Sequence, residues 1–134
     1  MVLMRIYAVS QDAKYLAYGL SSNGSDWITI KVMQVENKTI ELDTVSWVKF
    51  SYASWTHDSK GFFYSRYPAP KESENLDART ETSANLNHEV YYHFLGTNQS
   101  EDILCCRDLE NPKHKFCNCV TDDGKCWSCS KLVT

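Results

Sequence analysis

The sequence predicts an all-β fold: a partial β-propeller of about two four-stranded antiparallel blades plus the start of a third. Three observations predict it. First, one phrase occurs three times, an apolar strand, a turn of the form [S/T]-x-D-x-K and a second apolar strand. The copies are Ser10-Gln11-Asp12-Ala13-Lys14 before Tyr15-Leu16-Ala17-Tyr18, Thr56-His57-Asp58-Ser59-Lys60 before Phe62-Phe63-Tyr64, and Thr121-Asp122-Asp123-Gly124-Lys125 before Cys126-Trp127-Ser128-Cys129. An Asp in this position bonds its own backbone two residues on and closes a tight turn between antiparallel strands. Second, Asp12, Asp58 and Asp123 recur at roughly the ~40–45 residues of a four-stranded blade, the longer second interval implying an insertion. Third, the strands after the turns are apolar on both faces, as blades stacked face to face require. A β-sandwich shares the short strands and tight turns, but the repeated turn favours the propeller.

The elements follow in order. Ile6–Val9 and Tyr15–Leu20 make a hairpin, and Ser21-Ser22-Asn23-Gly24-Ser25 is a loop by composition. Trp27–Val35 is a β-branched strand, Glu36-Asn37-Lys38 a turn, and Thr39–Leu42 a short outer strand, completing a blade over 4–45. The second blade, 46–106, begins near Val48–Trp55, turns at the second repeat and continues through Phe62–Tyr67. A polar insertion, 68–87, opens on Pro68-Ala69-Pro70 and has the make-up of a solvated loop. Glu89–Leu95, the turn Gly96-Thr97-Asn98 and Glu101–Cys105 finish the blade, and a partial third occupies 112–134. At the residue after the repeat Asp only the third copy has Gly124. Ala13 and Ser59 there predict a type I geometry that needs no positive φ.

Composition excludes several classes. With 14 basic against 17 acidic residues and a net charge of −3, no basic stripe is available for nucleic acid. Aromatics at 13% and three prolines argue against disorder. Met1-Val2-Leu3-Met4 is interrupted by Arg5 without a signal-peptide pattern, and no apolar run approaches the ~18 residues of a membrane span. The expected location is cytoplasmic, with reduced cysteines and no membrane partner. A propeller needs ~4 blades to close, so the chain is expected to be a fragment. Trp55, Phe62, Phe63 and Tyr64 are then expected on the bare faces of its terminal blades.

No catalytic constellation is visible. There is no G-x-S-x-G nucleophile elbow, and none of His57, His88, His93 and His114 has an evident nucleophile to serve; His57 lies in a repeat turn. The six cysteines all fall in the last thirty or so residues. Cys117-x-Cys119 with Cys126-x-x-Cys129 would supply four zinc ligands. Against that, Cys126 and Cys129 sit three apart on one strand and point to opposite faces. Strand cysteines are the main reading, zinc the alternative, and no cofactor is expected.

Residue runs across positions 7 to 106 give the chain a family. They are Leu16-Ala17-Tyr18-Gly19-Leu20-Ser21, Gly24-Ser25-Asp26-Trp27-Ile28-Thr29-Ile30-Lys31, Val48-Lys49-Phe50-Ser51, Trp55-Thr56-His57-Asp58, Thr80-Glu81-Thr82-Ser83, Val90-Tyr91-Tyr92-His93 and Gly96-Thr97-Asn98-Gln99-Ser100-Glu101-Asp102-Ile103-Leu104-Cys105. In these it resembles the propeller of the prolyl oligopeptidase (prolyl endopeptidase) family. The resemblance implies a seven-bladed propeller capping an α/β-hydrolase domain whose serine triad cleaves short peptides after proline. The triad is absent from this sequence, so the chain alone is expected to be inactive. Its implied role is scaffold and substrate-access filter, with short proline-containing peptides, the hydrolase domain and the remaining blades as partners. Phe50 matches a phenylalanine that reaches into the substrate pocket, the alternative being a blade-core aromatic. Asp26 with Trp27 matches a pair near the domain gap, the alternative being a loop Asp holding backbone. The loop with Thr80, Thr82 and Ser83 matches one that gates peptide access, the alternative being an inert excursion. After Cys106 only Pro112-Lys113 and Asp122-Asp123-Gly124-Lys125 keep the register. The family's pocket methionine is replaced by Lys115, preceded by His114 in place of an aromatic. Two other functions stay open: a stand-alone propeller-type interaction module, and a truncated inactive product.

Overall fold

The computed structural model describes residues 2–22, 25–68, 86–120 and 127–132, with the backbone alone for 5–7, 117–120 and 127–132. Strands β1 (Val2–Val9), β2 (Tyr15–Ser22), β3 (Ile28–Gln34) and β4 (Ile40–Val48) form one antiparallel meander. A second follows with β5 (Ser54–Trp55), β6 (Gly61–Arg66), β7 (Glu89–Phe94) and β8 (Ile103–Cys106). The hairpin of β9 (Lys115–Val120) and β10 (Trp127–Leu132) stands as a separate two-stranded sheet. A bridge between Val48 and Arg66 joins the two meanders edge to edge. The sheet is not closed: this is a partial propeller. No α-helix occurs among the described residues, and no helix is long and apolar enough to cross a membrane. β4 is longer than the short outer strand the sequence suggested, running on through Trp47.

The first two repeat turns are built alike. Ala13 N–H donates to the Ser10 carbonyl at 2.9 Å, and Ser59 N–H to that of Thr56 at 3.0 Å. The Ser10 and Thr56 hydroxyls each donate to the repeat Asp at 2.6 Å, and each Asp accepts the N–H two residues on at 3.0 Å. The turns touch: Asp12 N–H donates to Ser59 Oγ at 3.1 Å. One expectation is corrected. Ala13 and Ser59 lie at φ 61° and 57°, in the left-handed region. Each loop is a β-turn followed by a left-handed residue, so the position does want the glycine that only the third copy has. That third turn, 121–125, lies outside the described residues, as do Thr80, Thr82 and Ser83.

A second expectation fails as well. Trp55, Phe62, Phe63 and Tyr64 are all buried. Trp55, Phe62 and Tyr64 pack with Ala17, Ile30, Val32, Val45 and Val48 between the two meanders, and Trp55 Nε1–H donates to the Ala8 carbonyl at 2.9 Å. Phe63 turns the other way and is covered, with Val90 and Tyr92, by Phe116 of β9. Even the partial third blade closes the second one's outer face. Apolar exposure falls instead on the sheet's flanks, at Val2, Met4, Ile40, Leu42 and Ile103.

The molecule has two unlike ends. At the repeat-turn end, Val35 N–H donates to the Lys14 carbonyl and Leu95 N–H to that of Lys60, both at 2.9 Å, drawing the β3–β4 and β7–β8 turns alongside. Here the buried His93 of β7 lies between two carboxylates, Nε2 2.6 Å from Asp43 of β4 and Nδ1 2.7 Å from Asp102. Tyr64 also donates to Asp102, and Gly96 N–H to Asp43 at 2.9 Å. Burial alone would push the imidazole down; the two carboxylates outweigh it and raise it to about 9. His93 is therefore a cation clamping one meander to the next. At the other end gather the β2–β3 loop, the β4–β5 link, the tail of β6, the head of β7 and the β8–β9 link. Tyr67 N–H reaches the Trp47 carbonyl at 3.1 Å, and Asn87 N–H that of Pro112 at 2.7 Å.

Candidate functional site

The link end collects the sequence candidates and several residues the sequence did not flag. Trp47 and Phe50 have φ of 63° and 54°, a conformation that bulky aromatics rarely adopt. Between Ile28 and Ile30 the β3–β4 register also shifts. These two backbone kinks place Trp47 edge-on to Trp27, centroids 5.7 Å apart at 81°. They also bring Phe50 edge-on to Tyr67 at 6.3 Å and 83°. Tyr67 closes the group against Trp27 at 6.0 Å and 83°. Phe50 belongs to neither core cluster and stays 43% exposed, so it forms an open aromatic face. Beside it a cavity of about 280 Å³ is lined by Leu20, Ile28, Trp27 and Trp47 together with Ser25 and Thr29.

Two lysines lie on these rings. The Lys49 ammonium stands 4.7 Å from the Trp27 centroid and 5.4 Å from that of Phe50, and the Lys115 ammonium 4.0 Å from Phe50. Burial pushes Lys49 below the usual lysine range; the carboxylate of exposed Asp26 opposes that shift and the charge of Lys115 adds to it. Lys115, the departure from the family's apolar residue, thus sits over the Phe50 ring. Tyr67 is buried, its hydroxyl has no partner among the described residues, and burial raises its pKa to about 12.

His88 holds this arrangement in register. Its Nδ1 accepts the Phe116 N–H at 2.8 Å, which leaves Nε2 protonated to donate to the Lys49 carbonyl at 2.9 Å. The ring is neutral: burial pushes it down to about 4, the Lys49 carbonyl partly opposing and the Lys115 charge assisting. One imidazole so fixes the backbone next to Phe50 and next to Lys115, residues on two different blades. It also stacks on Tyr67 at 4.8 Å. Sequence reasoning missed His88 and Lys49, although Lys49 lies within the matched run Val48-Lys49-Phe50-Ser51. That run drew attention for its aromatic only.

The remaining candidates do not join this cluster. Cys126 lies outside the described residues. Pairing of Cys129 with Asn118, and of Ser130 with Cys117, puts Cys129 on the opposite face of the β9–β10 hairpin from Cys117 and Cys119. Among the described residues no three His, Cys, Asp or Glu groups converge to hold a metal ion. Cys105 and Cys106 are half-buried free thiols. His57 is exposed in its turn.

Comparison with known proteins places this geometry. Residues 1–128 match the family described as "Prolyl oligopeptidase, N-terminal beta-propeller domain". Prolyl oligopeptidase A of Galerina marginata is 43% identical over 129 residues, covering 88% of this chain and 18% of that protein. A prolyl endopeptidase of Elizabethkingia meningoseptica is 42% identical over 110 residues, 82% of this chain and 15% of that protein. Among solved structures, prolyl oligopeptidase B of Galerina marginata bound to a 25mer macrocyclization substrate superposes with a TM-score of 0.86 at 33% identity. That match covers 98% of this chain and 19% of that one. The chain thus spans less than a fifth of the length of the relatives it matches.

Proposed function

Because this chain belongs to the prolyl oligopeptidase family and carries part of its N-terminal β-propeller domain, we propose that it is the scaffold and substrate-access filter of a serine peptidase that hydrolyses short peptides after proline. In this reading the hydrolytic step belongs to an α/β-hydrolase domain, and the remaining blades complete the ring. The observation that carries the reading is the half-exposed Phe50 ring at the link end, held by two strained backbone positions and framed by Trp27, Trp47 and Tyr67. Flat apolar faces of this kind suit proline and the extended backbone on either side of it. Asp26 sets the charge beside the platform through Lys49.

The test is a titration of the purified chain with N-acetyl-Gln-Gly-Pro-amide, followed by tryptophan fluorescence. Saturable quenching is expected. Phe50→Ala should weaken it about tenfold, the loss of one aromatic contact, with the melting temperature unchanged. A fluorogenic proline peptide should not be turned over. Absence of saturable binding, or indifference to Phe50→Ala, would remove the access-filter role.

A further inference from the structure

Resting on the peptide-access reading above, we propose that Lys115 and Lys49, set against the Phe50 ring, form a carboxylate-recognising subsite for an acidic side chain or the C-terminal carboxylate of a peptide. Two ammonium groups approach one aromatic ring, at 4.0 Å and 5.4 Å from its centroid. A single cation–π contact at an open site contributes ~0.5–1 kcal/mol, and a second cation on the same ring adds repulsion to that small gain. The only carboxylate that acts on Lys49 there is Asp26, while Lys115 acts on Lys49 as a like charge. The local sum is one positive charge, which matches a single carboxylate rather than a dianionic phosphate.

The surroundings suit that ligand. Phe50 is 43% exposed, so a side chain can lie along its ring and bring a carboxylate to the ammonium groups. The buried Tyr67 hydroxyl, with no partner among the described residues, is a further donor in the same aromatic group. His88 fixes the geometry, because it bonds the backbone of Lys49 and of Phe116, the neighbours of Phe50 and Lys115. Where the family carries an apolar residue, this chain so carries a charge aimed at the platform's open face.

Two measurements test it. In the first, the chain is titrated with N-acetyl-Glu-Gly-Pro-amide, its Gln counterpart, and the Gln peptide ending in a free carboxylate. One carboxylate peptide should bind about tenfold or more tighter than the Gln amide, as a charge-assisted hydrogen bond provides, the advantage shrinking as salt rises. Which of the two does so identifies a side chain or a chain terminus as the natural source. Lys115→Met should bring the ratio to about one, and Lys115→Arg should keep it. Equal binding of all three peptides would overturn the proposal. The second measurement is independent of peptide binding: N-acetylglycine should shift the Phe50 and Lys115 amide resonances saturably, while N-acetylglycinamide should not. If the peptides fail but N-acetylglycine binds, the subsite stands and the access-filter reading falls. If N-acetylglycine behaves like its amide, the subsite falls.

Discussion

Two buried histidines at opposite ends of the sheet carry opposite charge states, and their partners explain why. His93 faces carboxylates on both ring nitrogens and keeps its proton, raised to about 9. His88 faces a carbonyl and an N–H and stays neutral, lowered to about 4. The signs give a pH profile. The stabilisation from His93 is fully present below the unfolded value near 6.5 and is lost as pH rises towards 9. For His88 the unfolded chain takes up a proton first, so stability falls as pH drops from 6.5 towards 4. Each limb amounts to about 3 kcal/mol, with the maximum near pH 6.5. Urea midpoints across pH should trace this bell, and NMR should find His93 still protonated at pH 8 and His88 still neutral at pH 5. Two imidazoles titrating together near 6.5 would discard both assignments. Neither role was legible in the sequence, because their partners lie far along the chain: Asp43 sits 50 residues from His93 and Lys49 39 residues from His88. The repeat turns were legible, since Ser10, Asp12, Thr56 and Asp58 act within five residues. The positive φ at Ala13 and Ser59 was not. A left-handed alanine costs only ~1 kcal/mol, which the rest of the turn offsets.

At the scale of elements, what the sequence missed is the reach of β4. Its outer half carries Asp43 into the His93 clamp, and its inner half carries Trp47 into the aromatic platform. One strand thereby connects both ends of the molecule. It is pinned from outside by Gln99, whose side-chain amide accepts the Ser46 N–H and donates to the Ser46 carbonyl, both at 2.9 Å, as a neighbouring strand would. Strand identity and order followed from apolar patterning, but the extension past Leu42 depends on Gln99 and Asp102, which come from a later element. The two meanders also differ where the repeat continues. Lys14 is followed by Tyr15, which stacks on Trp55 at 6.4 Å, whereas Lys60 is followed by Gly61. The difference has a steric cause. Tyr92 leans across from β7, its hydroxyl 3.1 Å from Thr56 Oγ1. A Cβ on Gly61 would meet the His93 carbonyl oxygen at 2.1 Å and the Tyr92 hydroxyl at 2.7 Å. Backbone cannot yield there as a flexible side chain would. Gly61→Ala should therefore destabilise by about 3 kcal/mol, the upper part of the overpacking range, and should weaken hydrogen-exchange protection in β6 and β7. A near-neutral melting shift would show that these strands separate more readily than the pairing implies.

For the molecule as a whole, the question is whether an open sheet can remain alone in solution. Burial of Trp55, Phe62, Phe63 and Tyr64 means the two cores are complete, so the chain should fold cooperatively. The flanks are another matter. Strands β1 and β8 end the sheet path and present Val2 and Met4 on one side and Ile103 on the other, each at least half exposed, while Leu42 on β4 is 99% exposed. Free strand edges with apolar side chains recruit other strands, and contiguous apolar patches beyond ~300–600 Å² are rare on monomers. Expressed as these 134 residues, the protein should therefore fold yet self-associate, its sedimentation coefficient rising with concentration. Met4→Lys combined with Ile103→Lys places a charge on each outer strand. It should suppress association while leaving the melting temperature of the dilute protein within a few degrees, since exposed substitutions change stability by only ~0.5 kcal/mol. The two outcomes separate edge recruitment from poor folding. If the double variant still associates, the sticky surface lies elsewhere, with Leu42 and Ile40 next in line. If the unaltered chain sediments as a monomer at every concentration, two blades with the β9–β10 hairpin are sufficient in solution, and the open edges recruit nothing.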